Sequence, residues 1–497
     1  MSQSTPRQAP VQLSLPRRGE KEPAAFWISL TCVFALILIV YSWEISAGTM
    51  EVSRWPHYTN YSSLLADGFI HGHTWYEMEV PHWLEALPNP YDPWANRQFR
   101  WGHAHDMSLY KGHLYSYWGP VPALLIVAVS QVARLSPLAF DDSNMVFFFL
   151  AGLLFVSAAF MIRIRRRFFP GESSWPVLPC VGVAGLAAPV LCMMARPYVY
   201  EVAIAGGQLF LITGLLCAFI GIDGKIRMTW VTAAAIAWAL AIGCRVSLAP
   251  AIAAAAALII WRCRGRRIAA SLCLGLPLTA AVAGLLYYNY VRFGSIAEFG
   301  VQYQLATGDQ HALHSHLLFS WRFGVINLFR YLFYPPMLSS RFPFIMYRPL
   351  NDQWMIHEFD LPPYFGTEVL YGMLWCMPFL FFALAAMKIK QTQGDGLPRW
   401  LVICLAVVAP AAIFPALLMP GSTMRYFNDA TPSLFILAAI GLLQLLGGKH
   451  RRATTVAAVS LATITIVVGL LVSVLGYNDH LPMDNRPLWR TLHAIQV

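Results

Sequence analysis

Charged residues are scarce in this chain of 497 residues. Asp, Glu, Lys and Arg together make up 12% of it, whereas hydrophobic residues make up 57%. A mean hydropathy of +0.53 excludes an ordinary soluble globular protein. Apolar runs of roughly 17–25 residues recur, which is the length of a helix that crosses a hydrocarbon core of about 30 Å. We therefore predict an all-α, polytopic membrane protein.

Cysteine is missing from the polar parts of the chain. All nine cysteines lie in or beside apolar runs, and neither of the two long polar segments contains one. This distribution argues against a disulfide framework and against a CxxC zinc site. The first 25 residues are polar and include Arg17, Arg18 and Lys21, so we expect the run that follows to be a retained anchor rather than a cleaved signal peptide.

The basic residues are distributed as a membrane topology would place them. The net charge is +10, and 20 of the 35 lysines and arginines fall in the N-terminal tail and in short clusters between apolar runs. The positive-inside rule places such clusters in the cytoplasm. The charge therefore indicates topology, and we do not expect nucleic acid as a partner. With this rule the chain alternates through eleven spans, predicted near residues 26–43, 145–162, 176–194, 202–221, 229–247, 249–261, 268–290, 366–387, 400–419, 430–447 and 454–476.

The predicted domain organisation follows from these spans. It comprises a cytoplasmic tail (1–25), a first transmembrane helix (26–43), a large extracytoplasmic loop with an interfacial helix (44–144), transmembrane helices (145–290), a second extracytoplasmic loop (291–365), transmembrane helices (366–476) and an extracytoplasmic tail (477–497).

The first outer loop, Glu44–Trp118, is the most polar part of the chain. Its 75 residues carry eight carboxylates, seven of the 14 histidines and fifteen aromatic residues. The apolar run Gly119–Leu135 follows it. If that run crossed the membrane, every later basic cluster would be inverted, so we interpret it as a helix in the outer interface. Asp141 and Asp142 would then begin the second span, where they suit the helix dipole.

The second outer loop, Arg292–Phe365, contains an amphipathic segment, Trp321–Tyr334, that we interpret as interfacial. Two outer lobes thus lie over one helical bundle. No internal repeat is evident, so the inverted symmetry common in secondary transporters is not supported.

Arginine dominates the remaining basic residues. Of the 15 lysines and arginines outside the cytoplasmic segments, only Lys111 is a lysine. The guanidinium fork suits phosphate and carboxylate better than a lysine point charge does. Arg196, Arg245 and Arg425 fall at the outer ends of spans, where an arginine is costly unless it is paired or functional. Snorkelling to the interface, or pairing with a carboxylate such as Glu201, is the structural alternative.

Several stretches together resemble the GT-C glycosyltransferases, and more closely the bacterial "family 39-like" proteins within them. They are Leu87–Pro93, His105–Pro120, Tyr290–Ser295 and Met424–Tyr426. The superfamily includes protein O-mannosyltransferases and the aminoarabinose transferase of lipid A. The resemblance covers most of the chain and implies a GT-C-like bundle of about eleven transmembrane helices with two extracytoplasmic loop lobes.

The resemblance also implies a reaction. Relatives use a sugar on a polyprenyl phosphate at the outer face of the membrane and invert the anomeric carbon in one displacement. A first-loop carboxylate acts as the general base, and cationic groups stabilise the phosphate leaving group. Many relatives carry an Asp-Glu pair soon after the first span, but the corresponding stretch here, Trp55–Tyr61, has no carboxylate. The base must therefore come from elsewhere.

Four carboxylates are candidates for that base, each with a structural alternative. Asp106 is the first choice, and its alternative is an Asx turn or cap. Asp92 lies in a proline-rich turn, which is more often structural. Glu44 lies at the outer end of the first span, where it could be an interface-anchored charge. Asp67 could instead be a solvated residue near a helix end.

The predicted substrate-binding residues surround these carboxylates. Arg425 is the leading phosphate ligand, with Arg245, Arg292 and Arg196 beside it. The remaining candidates are Tyr426, His105 and Lys111, although aromatic belts and interfacial histidines are the common alternative for tyrosine and histidine. His71-Gly-His73 and His103-Ala-His105-Asp106 could supply ligands to a divalent metal, but we predict no definite metal site or other cofactor.

The sequence therefore predicts a transferase of the bacterial inner membrane with its active site facing the periplasm or exterior. It would move a hexosyl or pentosyl group from a polyprenyl-phosphate-linked donor to a glycan or lipid acceptor, among membrane lipids. Two alternatives stay open, a transporter or flippase of lipid-linked glycans and an O-antigen polymerase or ligase.

Overall fold

The computed structural model describes residues 22–51, 59–313, 319–348, 361–362, 365–389, 397–476 and 480–496. The predicted cytoplasmic tail up to residue 21 and most of Trp55–Tyr61 lie outside this part. The longer helices are α1 (Ala24–Ile45), α2 (Tyr61–Ile70), α3 (Val121–Ala133), α4 (Asp142–Phe168), α5 (Val177–Leu186), α6 (Ala188–Ala195), α7 (Val199–Ile222), α8 (Met228–Cys244), α9 (Ala249–Arg262), α10 (Arg267–Phe293), α11 (Trp321–Phe333), α12 (Leu397–Leu417), α13 (Thr431–Leu446), α14 (Arg451–Ser473) and α15 (Arg486–His493).

Short helical turns fill much of the connecting chain. They lie at His82–Glu85, Arg97–Phe99, Arg100–Ala104, Pro137–Ala139, Val246–Leu248, Val301–Tyr303, Gln310–Leu313, Met373–Cys376, Pro378–Phe381, Phe382–Ala386, Met424–Asp429 and His480–Asp484. Strands are few and short: β1 (Ser108–Tyr110) and β2 (His113–Tyr115), β3 (Met337–Leu338) and β4 (Ile345–Met346), and β5 (Gly366–Thr367) and β6 (Gly421–Ser422). The first two pairs are antiparallel and the third is parallel.

The prediction of an all-α, polytopic membrane protein is confirmed. In the described part of the chain, seven helical segments are long and apolar enough to cross a membrane, and they match seven of the predicted spans. Three further predicted spans correspond to shorter apolar helices, α8, α9 and α13. The run after the first loop forms α3, which at 13 residues is only about 20 Å long. This length suits the interfacial position that we predicted for it.

The predicted span 366–387 differs most from the structure. Its first residues are extended, with β5 at Gly366–Thr367, and only short helical turns follow from Met373. Pro378 begins the next turn, where its missing N–H and fixed φ suit a helix start. The segment therefore brings an extended stretch of backbone to the end of the bundle where Arg196 and Arg425 lie.

Asp142 holds the start of the first loop against the start of α4. Its carboxylate accepts hydrogen bonds from the Tyr61 and Ser62 N–H groups, 3.0 and 3.1 Å away, and so caps α2 from a distance. The neighbouring Asp141 accepts from the Asn144 N–H in a capping box at α4. The two aspartates thus stabilise two helix N-termini, in agreement with the predicted dipole role of the pair.

The two outer loops are joined by backbone hydrogen bonds. The Asp106 N–H donates to the Leu305 carbonyl at 3.0 Å, and the Leu305 N–H donates to the Met107 carbonyl at 2.9 Å. The Ser108 hydroxyl also donates to the Gly300 carbonyl at 2.8 Å. The β1–β2 hairpin follows directly. The second loop therefore fixes the position of the chain at Asp106.

Candidate functional site

Asp106 lies at the point where the two outer loops meet. Its backbone is in the left-handed region at φ +60°, which aspartate adopts more readily than most residues. The side chain is mostly buried, with 17% of it exposed. The Tyr200 hydroxyl, at the start of α7, donates a hydrogen bond to its Oδ2 atom. Loop backbone and helix together hold this carboxylate in place.

Aromatic side chains surround this carboxylate. Tyr61 donates its hydroxyl to the His105 carbonyl at 3.0 Å, and Tyr117 lies close enough for the charge of Asp106 to act on it. Burial, assisted by Asp106, raises the pKa of both hydroxyls above their ordinary value. Both tyrosines therefore stay protonated and keep their hydroxyl groups as hydrogen-bond donors.

Arg425 lies on the other side of Tyr200. Its guanidinium carbon is 4.8 Å from the centre of the Tyr200 ring, and the side chain is 7% exposed. Its Nη1 lies 2.7 Å from Oε2 of Glu368, and its Nη2 donates to Oε1 at 3.1 Å. Its Nη1 also lies 3.5 Å from Oε1 of the fully buried Glu201. The arginine predicted to bind phosphate therefore lies between two carboxylates.

Glu368 is the residue of this site that the sequence did not single out. The N–H of Glu368 donates to the Ser422 carbonyl at 3.1 Å, next to the parallel β5–β6 pair. A methyl group on Gly421 would lie 2.3 Å from the Gly366 carbonyl oxygen, so only glycine allows the two strands to approach this closely. The pairing carries Glu368 to Arg425.

Glu368 is an ionised acceptor. Burial raises the pKa of its carboxyl, but Arg425 and Arg196 and the hydroxyl of Thr423 outweigh this and hold the pKa below its ordinary value. Its place in an apolar run was a usable signal, since an ionisable residue in an apparent span is a functional candidate by default.

Arg196 lies on the same side of Tyr200 as Glu368 and Arg425. Its Nη1 lies 3.6 Å from Oε1 of Glu368, and its guanidinium carbon is 5.8 Å from the centre of the Tyr200 ring. Two arginines therefore flank one carboxylate, and both lie over the tyrosine that donates to Asp106.

Arg245 and Tyr426 extend the same cluster. Arg245 makes a bidentate contact with the buried Asp429, with N–O distances of 2.6–3.1 Å. Its guanidinium carbon lies 5.2 Å from the centre of the Tyr426 ring, and that of Arg425 lies 5.6 Å from it. The structure thus brings together Asp106, Arg425, Arg196, Arg245 and Tyr426, all of which we named from the sequence.

The two other predicted catalytic carboxylates have structural contacts. Asp92 accepts hydrogen bonds from the backbone N–H groups of Trp94 and Ala95, at 2.8 and 3.4 Å, which is an Asx-type turn. Glu44 is 1% exposed and accepts from the Ser473 hydroxyl at 2.5 Å, where α1 meets α14. A catalytic role for either stays a prediction, and these contacts favour the structural alternatives.

Three other predicted substrate-binding residues lie outside the cluster of arginines: one is buried in the protein, and two are exposed. Arg292 is buried and donates to the Ser116 carbonyl and to Oδ1 of Asn289, so its guanidinium is engaged by the protein. Lys111 is exposed in the two-residue turn between β1 and β2, over the Tyr110 ring. His105 is 41% exposed, with its Nε2 3.9 Å from Oδ1 of Asp106. His105 alone of the three contacts the central carboxylate.

The helix ends around these residues form a polar site at one end of the bundle. The C-terminal ends of α6 and α8 supply Arg196 and Arg245, the start of α7 supplies Tyr200, and the turn before α13 supplies Arg425. A carboxylate that can accept a proton therefore lies next to guanidinium groups that can hold an anion. Such a pair can remove a proton from a nucleophile and stabilise a departing phosphate.

Comparison with solved structures finds distant likenesses to polytopic membrane enzymes. ArnT from Cupriavidus metallidurans, bound to undecaprenyl phosphate, matches with a TM-score of 0.48 and 14% identity over 94% of this chain and 79% of its own. AglB from Archaeoglobus fulgidus, in complex with an inhibitory peptide and a dolichol-phosphate, matches with a TM-score of 0.45 and 12% identity over 91% of this chain and 56% of its own. Both are members of the GT-C superfamily, which the sequence resembles.

The Archaeoglobus fulgidus oligosaccharyltransferase tethered with an acceptor peptide gives a TM-score of 0.44 at 12% identity and 92% coverage of this chain. The chain spans 56% of the length of that protein. No family model matches the sequence, and no curated protein matches it.

Proposed function

We propose that this protein is a glycosyltransferase of the GT-C type that uses a sugar on a polyprenyl phosphate. The observation that carries the proposal is the contact chain Asp106–Tyr200–Arg425, in which one tyrosine joins a loop carboxylate to a buried arginine. A base and an anion site at the end of an apolar bundle suit a reaction between a polar nucleophile and a lipid-borne phosphate ester.

Asp106 is the general base in this proposal. The acceptor hydroxyl gives its proton to the Asp106 carboxylate while its oxygen forms a bond to the anomeric carbon. The bond from that carbon to the phosphate oxygen breaks in the same step, with inversion. The hydrogen bond from Tyr200 fixes the carboxylate, and the exposed His105 lies beside it. The transferred group would be a hexosyl or a pentosyl unit.

Arg425 and Arg196 hold the phosphate. The leaving phosphate gains negative charge as the sugar departs, and fixed guanidinium donors stabilise it most in a site with little water. In the ligand-free protein the Glu368 carboxylate lies between these two arginines. The phosphate therefore replaces Glu368 as their acceptor. Arg245, paired with Asp429 beneath Tyr426, supports the same cluster.

We infer that this chemistry takes place on the extracytoplasmic face. The basic cluster Arg165–Arg167 lies in the last turn of α4, whereas Asp142, at the other end of this helix, contacts the first loop. The positive-inside rule then assigns the loops and Asp106 to the outside. A bacterial inner membrane and an envelope glycan or lipid acceptor complete the proposal.

The direct test is sugar transfer or hydrolysis by the purified protein with a panel of polyprenyl-phosphate sugars. Arg425→Lys keeps the charge that balances Glu368 and Glu201 but loses the two-donor fork. We expect this variant to fold, by its melting temperature, and to bind the donor at least about tenfold more weakly. Unchanged donor affinity in the folded variant would remove Arg425 from the phosphate site.

A further inference from the structure

We propose a transition-metal site on the first outer loop, formed by His71, His73, Glu77 and Asp67 and suited to Zn²⁺. In the described part of the chain, ligand atoms of Asp67, His71 and Glu77 all lie within 4.8 Å of one another. His73 lies against the same Glu77 carboxylate. Two imidazoles and two carboxylates are a donor set that zinc accepts.

The distances among the ligand atoms of Asp67, His71 and Glu77 fit one ion, and His73 lies against the same Glu77 carboxylate. The Glu77 Oε1 atom is 3.5 Å from Nδ1 of His71 and 3.6 Å from Nε2 of His73. Nδ1 of His71 is 3.8 Å from Oδ2 of Asp67. A tetrahedral site with bonds of about 2.0–2.1 Å has edges of about 3.3–3.4 Å. Shifts of a few tenths of an ångström would bring Asp67, His71 and Glu77 to these distances, whereas His73, which lies against Glu77, would need a larger movement of its ring to become the fourth ligand.

The local sequence brings the two histidines together. α2 ends at Ile70, and Gly72 is in the left-handed region at φ +82°, so the chain turns between His71 and His73. Because glycine adopts this positive φ without strain, the turn lets both imidazoles face the same carboxylate.

The rings are already held before an ion binds. His73 lies on the ring of Trp75, with centroids 4.4 Å apart, and Trp75 in turn stacks on His113 at the same distance. This packing fixes the plane of the His73 ring, as outer contacts do for metal ligands. Nδ1 of His71 lies 3.1 Å from the Asp67 carbonyl. Giving up that exposed hydrogen bond costs about 1 kcal/mol, much less than zinc binding supplies.

The ion would join α2 to the hairpin that follows Asp106. Asp67 and His71 lie at the end of α2, whereas Glu77 follows Tyr76, whose N–H donates to the Leu114 carbonyl of β2 at 2.9 Å. The proposed site is therefore a brace of the loop fold. It does not depend on the glycosyltransferase proposal.

The test is the zinc content of the full-length protein, purified without a histidine tag, stripped with a chelator and reloaded with ZnCl₂. We expect about one zinc per chain in the wild type and a rise in melting temperature on reloading. The double variant His71→Ala/His73→Ala should lose the bound zinc. Glu77→Gln should weaken zinc binding by at least about tenfold. His82→Ala, a change at an exposed first-loop histidine outside the cluster, should bind as the wild type does.

Equal zinc content in the wild type and the double variant would overturn the proposal, as would a wild type that binds none. X-ray absorption of the zinc-loaded wild type needs no variant. Imidazole scattering with nitrogen and oxygen ligands at about 2.0–2.1 Å supports the site. A shell of sulfur or of oxygen alone overturns it. Mg²⁺ and Ca²⁺, which prefer oxygen ligands, should not replace Zn²⁺.

Discussion

Glu368→Gln gives the sharpest test of phosphate binding by Arg425 and Arg196, because it should strengthen the binding of a polyprenyl monophosphate. In the wild type the Glu368 carboxylate accepts a hydrogen bond from Nη2 of Arg425 at 3.1 Å. It also forms an ion pair with Nη1 of Arg425 at 2.7 Å and lies 3.6 Å from Arg196. A lipid phosphate must displace this carboxylate to reach the same two guanidinium groups. Glutamine keeps the shape of the side chain but removes the competing charge.

The expected gain in affinity for the lipid phosphate follows from the contacts between Glu368 and the arginines that the phosphate no longer has to break. A hydrogen bond between charged groups contributes about 1.5–3 kcal/mol. Because 38% of the Glu368 side chain is exposed, water screens the pair and the low end of that range applies. About 1.5 kcal/mol corresponds to roughly tenfold tighter binding. We therefore expect Glu368→Gln to lower the Kd for a polyprenyl monophosphate about tenfold.

The assay is a titration of the purified protein with a polyprenyl monophosphate, followed by tryptophan fluorescence or by melting temperature. Glu79→Gln, at an exposed first-loop carboxylate, serves as the matched control and should leave the Kd unchanged. Equal or weaker binding by folded Glu368→Gln would refute the idea that phosphate and Glu368 compete for the same arginines.

The same variant has a pH signature. Because Arg425 and Arg196 hold the pKa of Glu368 below its ordinary value of 4.5, the ion pair stabilises the fold above that pH. The stabilisation is lost as the pH falls through the lowered folded pKa. The melting temperature of the wild type, relative to Glu368→Gln, should therefore fall on acidification below about pH 4.5.

Two other substitutions test how the site is held. Tyr200→Phe keeps the ring over Arg425 but removes the hydroxyl that donates to Asp106. We expect kcat to fall about 10–100-fold, because a charge-assisted hydrogen bond is lost, and the Kd for the donor to stay unchanged. An unchanged kcat would show that this contact is not needed for the reaction. Gly421→Ala places a methyl group 2.3 Å from the Gly366 carbonyl, so it should separate β5 from β6, release Glu368 from Arg425 and destabilise the fold by about 1–3 kcal/mol. Gly275→Ala, in open space on α10, is its control in a thermal melt, and equal melting of the two variants would show that the strand pair is not required.

Much of the fold could be predicted from the sequence because hydropathy and basic clusters report directly on membrane crossing. The long helices α4, α7 and α10 agree with their apolar runs to within a few residues. The segment 366–387 could not be predicted in this way, because composition alone does not reveal an extended stretch that pairs with β6 far along the chain.

Some residues of the candidate site could be predicted from the sequence, and others could not. Arg425 was named because an ionisable residue beside a span is costly and therefore informative, and Asp106 because it lies between a histidine pair and the aromatic stretch before the interfacial helix. Glu368 was missed because its role depends on a contact with a residue 57 positions away. Arg292 was named as a substrate-binding residue, but the structure shows that the Ser116 carbonyl and Asn289 accept its hydrogen bonds. Those acceptors could not be predicted from the sequence.

The measurement that tests the central claim most directly is sugar transfer from a panel of polyprenyl-phosphate sugars, with Asp106→Asn run beside the wild type. Asparagine keeps the acceptor for Tyr200 but cannot take up the proton. We predict turnover by the wild type with at least one donor, and a loss of at least about 100-fold in the folded variant. Turnover that survives in Asp106→Asn would contradict the assignment of the base.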